Sequence, residues 1–213
     1  MIFSSGEIGS TGELPFRNSP HISQQARVSI DKFIERHKIS VPHIIDLVNR
    51  FSEKKICVLG DTIIDEYIDC FPLGMSQEEP TLVVSPQEKT QYLGGAGIVA
   101  SHASQLGASV RFLSVAGQDD ARNFAATELE KFEVDYSYII DKTRPTTVKQ
   151  RFRSQGKSLL RVSTLSQQAI SSNLQKMMFS QFEKTASEFD AVVFSDFNYG
   201  SLPQPLVEKV TFV

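Results

Sequence analysis

The chain has 213 residues, a formal net charge of −3 and a pI near 5.8. Its apolar fraction of 40% and charged fraction of 22% are typical of a globular protein, and its slight acidity argues against nucleic acid or a membrane surface as a partner. No apolar run reaches the ~18 residues that a membrane span needs, and no secretory signal pattern opens the chain.

The two cysteines, Cys57 and Cys70, fall in predicted strands and lack the spacing of a metal site. Free thiols of this kind are typical of a reducing compartment. We therefore expect a cytoplasmic protein without a disulfide framework.

The first part of the chain predicts a linker followed by helices. Residues 1–20 are rich in serine, glycine and proline and show no period. Apolar residues then recur at helical spacing over 23–37 and again over 41–51. Residues 1–53 are thus expected to be a linker and helical appendage ahead of a main domain over 54–213.

The main domain is predicted to open with a buried strand over 56–59. This short apolar run ends at Gly60 and Asp61, a pattern typical of a parallel strand. Such a strand would deliver Asp61 and Asp65 to the carboxyl edge of a sheet, where α/β proteins bind ligands. Extended pieces separated by turn residues follow over 66–84 and predict a small β flap outside the main sheet.

Glycines at 94, 95 and 97 precede a helical pattern over 98–106. Glycine lets a ligand approach the backbone closely, and the N–H groups and dipole of a helix N-terminus favour an anion or a polar ligand. The same run fits a loose dinucleotide fingerprint, Gly95-x-Gly97-x-x-Ala100. In that fingerprint, however, the glycines directly follow the first strand, which here ends far upstream at Gly60.

Strands and helices alternate through the rest of the chain, which predicts a parallel sheet with helices on both faces. The strands are expected over 110–116, 136–140, 147–152, 158–162 and 190–195, and the helices over 119–132, 167–186 and from 202 onward. Met177 and Met178 are expected in the core. Only three strands (56–59, 110–116, 190–195) belong to the expected main sheet, fewer than the usual ~5–6, so the fold is expected to continue beyond Val213.

Carboxylates follow three of the predicted strands, as Asp61 and Asp65, Asp119 and Asp120, and Asp196. Strand ends of one sheet share a crevice, and carboxylates there can accept hydrogen bonds from the vicinal hydroxyls of a polyol. For Asp119 a helix N-cap is the favoured interpretation, for Asp65 a ligand contact, and for Asp196 a ligand, a metal or a cap. Among the basic residues, Lys149, Arg151 and Arg161 would either meet a phosphate or be solvated.

Five segments taken in order resemble the ribokinase-like (PfkB) carbohydrate kinases, most closely the heptose-phosphate kinase branch related to bifunctional ADP-heptose synthases. They are Gly60-Asp61-Thr62-Ile63-Ile64-Asp65, Gly94-Gly95-Ala96, Gly117-Gln118-Asp119-Asp120, the run from Pro145 to Arg151, and Ser195-Asp196-Phe197-x-x-Gly200. The resemblance implies a Rossmann-like α/β fold with a small β lid near 64–92 and 147–163. It also implies transfer of the ATP γ-phosphate to a hydroxyl of a sugar or sugar phosphate with Mg²⁺, and a homodimer through the lid.

By the same resemblance, Asp65 would hold sugar hydroxyls, Gly94 and Gly95 would let the lid hinge and the backbone approach the sugar, and Asp196 would border the sugar or phosphate. The chain departs from the family at Ile98 and Val99, where an asparagine contacts the sugar, and at Tyr199, where the heptose branch has lysine. The resemblance therefore leaves the sugar unidentified.

The family's second signature, a Gly-Ala-Gly-Asp run that supplies the anion hole and the catalytic base, is absent from these residues. We therefore expect the sugar-binding, N-terminal half of a kinase, with no catalytic residue of its own. The appendage resembles the tail of an upstream nucleotidyltransferase domain. The alternatives are a non-catalytic sugar-binding or interaction module and, more distantly, a dinucleotide-binding oxidoreductase.

Overall fold

The computed structural model describes residues 23–213. The chain divides into two compact units, Met1–Ser52 and Glu53–Val213. The linker expected over residues 1–20 lies outside the described residues.

The described residues of the N-terminal unit form two helices, α1 (Gln24–Arg36) and α2 (Val41–Asn49), which a 3-10 turn at Arg50–Glu53 follows. Serine side chains cap both helices, because Ser23 accepts a hydrogen bond from the amide of Ala26 and Ser40 from that of His43. The prediction of N-terminal helices is confirmed. Neither helix contains a fully buried residue.

The larger unit alternates strands and helices. In chain order these are β1 (Lys55–Met75), β2 (Leu82–Gly94), α3 (Gly95–Gln105), β3 (Ser109–Ala116), α4 (Asp120–Lys131), β4 (Asp135–Ile140), β5 (Thr147–Ser154), β6 (Lys157–Thr164), α5 (Ser172–Glu183), a 3-10 turn at Ala186–Glu188, β7 (Ala191–Ser195) and α6 (Gln204–Thr211).

The main sheet has the strand order β4-β3-β1-β7, and all its pairs are parallel. One of its faces packs on α5 and α6, where Met178 and Leu206 meet Leu59. The other face packs on α3 and α4, where Ala100 and Leu129 are buried. The predicted α/β class, with a mostly parallel sheet and helices on both faces, is confirmed. The main sheet has one strand more than expected, since β4 pairs with β3.

A second sheet, formed by β2, the distal part of β1, β5 and β6 in that order, extends from the main sheet. Its β1–β2 and β5–β6 pairs are antiparallel, and its β1–β5 pair is parallel. The expectation that the first strand ends at Gly60 and that a separate flap begins at 66 is wrong, because β1 runs for 21 residues through both sheets. Asp61 and Thr62, which interrupt the apolar run, are buried within the strand rather than placed at its end.

Two further expectations are corrected by the structure. Helix α5 is shorter than the expected 167–186, because Ser171 caps it and the amide of Ile170 donates to the carbonyl of Gly200 instead of joining a helix. Met178 is buried, whereas Met177 is about half exposed and lies outside the core.

Candidate functional site

The candidate site lies where the two sheets meet. Here β1 leaves its pairing with β3 after Asp61 and begins its pairing with β2, in which Ile63 lies opposite Gly94. Helix α3 begins at the next residue, Gly95, and β7 ends beside Gly60. Strand ends, a helix N-terminus and the base of the second sheet therefore converge at one place.

Asp65 is the carboxylate at the base of the second sheet. It is half-buried, and its Oδ1 lies 2.5 Å from Nη1 of Arg151. This hydrogen bond raises the pKa of Arg151 above its ordinary value. A Cβ atom on Gly94 would stand 2.5 Å from Oδ2 of Asp65, so the absence of a side chain at 94 leaves room for this carboxylate.

Gly95 has a backbone conformation that other residues rarely adopt. Its φ is +56°, and a Cβ there would overlap the carbonyl oxygen of Asp61. Gly94, the N-cap residue of α3, offers no side-chain cap to the helix. The first turn of α3 therefore starts directly against β1, without a capping side chain at 94.

One face of the second sheet carries charged and aromatic side chains. Register places Asp65, Tyr67 and Asp69 of β1 opposite Lys149, Arg151 and Arg153 of β5, and we call these six residues the charged face. On it, Arg153 forms an ion pair with Asp69. The guanidinium groups of Arg151 and Arg153 lie 5.2 and 4.5 Å from the ring centroid of Tyr67, within the range of cation–π interactions.

Lys149 differs from the two arginines of the charged face. Its Nζ lies 5.2 Å from the ring centroid of Phe197 and 5.0 Å from that of Tyr199. Among residues 23–213, no carboxylate lies within ion-pair distance of this ammonium group. Within the described part of the chain, Lys149 therefore has no anionic partner, and it lies two residues along β5 from Arg151, the partner of Asp65.

The loop after β7 is organised around a buried carboxylate. Asp61 is 2% exposed and accepts hydrogen bonds from the backbone amides of Phe197 (2.8 Å), Tyr199 (3.3 Å) and Ser201 (3.3 Å). Asp196, in contrast, is exposed, and its Oδ1 accepts from the amide of Asn198. Asp61 therefore holds the loop in place, and Asp196 forms a local turn within it.

Arg144 contacts the same loop from another direction. Its guanidinium donates to Oδ2 of Asp141 (3.0 Å), to the carbonyl of Tyr199 (3.0 Å) and to the carbonyl of Gln168 (2.6 Å). Its side chain is 8% exposed. Sequence reasoning missed Arg144, because its partners at 168 and 199 are distant in the chain and nothing local indicates them.

Asp119 caps α4, in agreement with the favoured interpretation. It accepts hydrogen bonds from the amides of Arg122 (3.0 Å) and Thr146 (2.8 Å). Burial acts to raise the pKa of Asp119, but these donors outweigh it and hold the pKa below its ordinary value of 3.8. The structure thus brings Asp65, Gly94 and Gly95 together, places Asp196 on the loop after β7, and assigns Asp119 to the helix.

The architecture is that of the ribokinase-like fold. A putative phosphofructokinase from Staphylococcus aureus superposes with a TM-score of 0.59 at 17% identity, over 74% of this chain and 48% of that one. A carbohydrate kinase from Agrobacterium tumefaciens superposes with a TM-score of 0.54 at 18% identity, over 75% and 49%. Residues 53–212 also match the model of the pfkB family of carbohydrate kinases. The chain therefore belongs to the pfkB family.

Relatives with higher identity are bifunctional HldE proteins. The chain is 34% identical over 158 residues to that of a Helicobacter pylori strain, which covers 74% of this chain and 34% of the relative. It is 31% identical over 156 residues to that of a Nitratiruptor species, covering 73% and 34%. The chain thus spans about a third of the length of the curated relatives it matches.

Two kinds of feature are missing from the part of the chain that the structure describes. None of its helices is long and apolar enough to cross a membrane. Nor do residues 23–213 contain a group of three or more histidine, cysteine, aspartate or glutamate side chains that could hold a metal ion.

Proposed function

We propose that this chain forms the sugar-binding part of an ATP-dependent carbohydrate kinase, with Asp65 as the group that binds hydroxyls of the acceptor sugar. The observation that carries the proposal is the placement of Asp65 at the junction of the two sheets, where Arg151 orients it and Gly94 leaves space beside it. A carboxylate so held can accept two hydrogen bonds from neighbouring hydroxyls. Gly94 and Gly95 would serve as the hinge of the second sheet, and Asp196 would border the site.

Within this class, a sugar phosphate is the acceptor that the charged face favours. Lys149 carries a charge that no carboxylate among residues 23–213 neutralises, and it lies on the same face as Asp65. An ammonium group is a common phosphate ligand. A sugar whose hydroxyls bind Asp65 and whose phosphate reaches Lys149 would satisfy both groups.

ATP and Mg²⁺ belong to the proposed reaction. ATP would supply the transferred phosphoryl group, and Mg²⁺ would supply charge neutralisation. Residues 23–213 present no acidic cluster that fits the metal ion, and the sequence has no Gly-Ala-Gly-Asp run. In the proposed function, this chain therefore contributes the binding of the acceptor.

Calorimetric titration of the purified chain with pentose, hexose and heptose phosphates, and with the matching free sugars, tests acceptor binding. Asp65→Asn should weaken binding about tenfold to a hundredfold, because hydrogen bonds to a charged group contribute about 1.5–3 kcal/mol each. Asp69→Asn is the matched control, since Asp69 also pairs with an arginine but lies farther along the charged face. Equal binding by the wild type and the folded Asp65→Asn variant would refute the role of Asp65.

The second candidate is a non-catalytic sugar-binding module, because acceptor binding through Asp65 needs no general base. Residues 1–213 hold no Gly-Ala-Gly-Asp run. For the chain by itself we expect no ATP-dependent phosphorylation, because loss of a general base alone removes ~10²–10⁴-fold of the rate. A coupled assay for ADP release measures this. Turnover well above background, with contaminating kinases excluded, would contradict the assignment to an acceptor-binding half.

The dinucleotide-binding alternative does not fit the structure. Its glycines should lie between the first strand of a parallel sheet and the following helix. Here Gly95 and Gly97 follow β2, an antiparallel strand of the second sheet.

A further inference from the structure

The peptide unit of Tyr199 is held from both sides by charged groups. Its amide donates to Oδ2 of Asp61, and its carbonyl accepts from Nη1 of Arg144. Asp61 belongs to β1, whereas Arg144 lies on the turn between β4 and β5. Two elements distant in sequence therefore fix one residue of the loop after β7.

The side chains of Asp61 and Arg144 are both buried, so each charge needs partners within the protein. A buried charge is tolerated only when hydrogen bonds replace its hydration. Asp61 meets this requirement with three amides of the loop, and Arg144 with Asp141 and two backbone carbonyls. The hydrogen bonds of Asp61 therefore fix the backbone at 197, 199 and 201, and Arg144 joins the carbonyl of Tyr199 to that of Gln168.

The neighbouring glycine shows that the loop has little room to move. Gly200 has a φ of +83°, and a Cβ there would overlap the carbonyl oxygen of Gln168. That same carbonyl accepts a hydrogen bond from Arg144. The loop is therefore packed at van der Waals distance against the segment that Arg144 also binds.

The side chains of this fixed loop form the surroundings of Lys149. The rings of Phe197 and Tyr199 both lie about 5 Å from its Nζ. A lysine side chain is flexible, and its ammonium group is a compact point charge. Its position is therefore set by the two rings, and the positions of the rings follow from the backbone that Asp61 and Arg144 hold.

We propose that Asp61 and Arg144 are positioning residues, which fix the loop over 197–201 so that its two rings hold the Lys149 ammonium group in place for the phosphate of the acceptor. The role of Lys149 in binding the phosphate rests on the proposed function, whereas the positioning of Lys149 by the loop does not. Neither residue touches the acceptor in this proposal.

Trace acetylation of lysines in the folded chain, quantified by mass spectrometry, tests the positioning. In the wild type, Lys149 should react several-fold more slowly than the exposed Lys157, which serves as an internal reference. Arg144→Met should raise the relative rate at Lys149 at least threefold. Lys89, which pairs with Glu66 in the same sheet, should not change.

Further variants keep the test decisive if Arg144→Met fails to fold. Gly200→Ala displaces the loop without changing a charge and should raise the rate at Lys149 in the same way. The double variant Phe197→Leu and Tyr199→Leu removes the rings from half-exposed or exposed positions and should also raise it. An unchanged rate at Lys149 in the folded members of this set would overturn the proposal.

Ligand binding separates a positioning role from a purely structural one, because only a positioning role predicts that one ligand is weakened more than the other. Arg144→Lys, which keeps the charge but loses the fork of donors, should weaken binding of a sugar phosphate at least fivefold and leave binding of the free sugar nearly unchanged. Lys142→Met is the matched control, since Lys142 is exposed on the same turn. Equal losses for both ligands would overturn the positioning role. If the wild type binds neither ligand, the proposed function fails, while the acetylation result still decides whether the loop that Asp61 and Arg144 hold positions Lys149.

Discussion

Gly95 shows how one residue can constrain the junction of the two sheets. We predict that Gly95→Ala destabilises the chain by more than the ~1–2 kcal/mol that a left-handed conformation costs an ordinary residue. The added Cβ would also overlap the carbonyl of Asp61 and approach the side chain of Ile63. Urea unfolding followed by circular dichroism would measure the loss.

Gly156→Ala is the matched control for this variant. Gly156 also has a positive φ, +77°, but a Cβ there would have no neighbour within 4 Å. It should therefore report the conformational cost alone. If the two variants lose equal free energy of unfolding, the close approach at Gly95 contributes nothing.

The contribution of Asp119 belongs to the scale of elements, because its carboxylate joins the start of α4 to the start of β5. We predict that Asp119→Ala lowers the free energy of unfolding by about 1–2 kcal/mol at neutral pH, toward the upper end of cap substitutions. The reason is that the side chain accepts from Thr146 as well as from Arg122. Asp119→Asn should lose less, since asparagine also caps helices.

The same residue should give stability a defined pH dependence. Its pKa is lowered on folding, so the carboxylate stabilises the fold fully at pH values above the ordinary pKa of 3.8. The contribution is lost as the pH falls below that value through the folded pKa. Between pH 3 and pH 6, the free energy of unfolding should therefore change less for Asp119→Asn than for the wild type. An equal change in the two proteins would show that Asp119 does not contribute to acid sensitivity.

The elements were largely predictable because hydrophobic period is local information. Helices α1, α3 and α4 and strands β3 and β7 lie close to their predicted ranges. The continuity of β1 was not predictable, because residues 57–64 are buried on both faces and later residues only on alternate positions. Polar residues at 61 and 62 therefore look like a strand end when only the sequence is considered.

The candidate site was predictable only in part, for a related reason. Asp65 and Gly94 stand out because a carboxylate after a strand and a glycine pair before a helix are local patterns. The partners of Arg144 and of Asp61 lie up to 140 residues away in the chain. Such contacts depend on the order of strands in the sheet, which a single sequence does not encode as a pattern.

At the scale of the whole molecule, the second sheet exposes a set of apolar side chains that a monomer rarely leaves uncovered. They are Phe71, Leu73, Met75, Leu82, Val83, Leu159, Leu160 and Val162. Strand β6 is also an edge, whose free backbone groups can pair with another chain. We predict a homodimer formed through this sheet. Sedimentation velocity at protein concentrations of roughly 1 to 100 µM should detect it.

Leu73→Lys and Leu160→Lys should shift this equilibrium toward the monomer, because each would place a charge in the apolar interface. Leu106→Lys is the matched control, since Leu106 is similarly exposed but follows α3 in the main body. A wild-type chain that remains monomeric throughout the concentration series would rule out the dimer.

The continuity of β1 limits where the chain can tolerate the insertion or deletion of a single residue. A slip of one residue in the main sheet would turn Cys57 and Leu59 out of the core that they fill. Because the strand continues without a break, the same slip would carry Asp65 to the opposite face of the second sheet. Insertions and deletions of single residues should therefore be excluded from 55–69, where the register with β2, β3 and β5 is continuous. They should be accepted in the turn over 76–81, where the strand has ended.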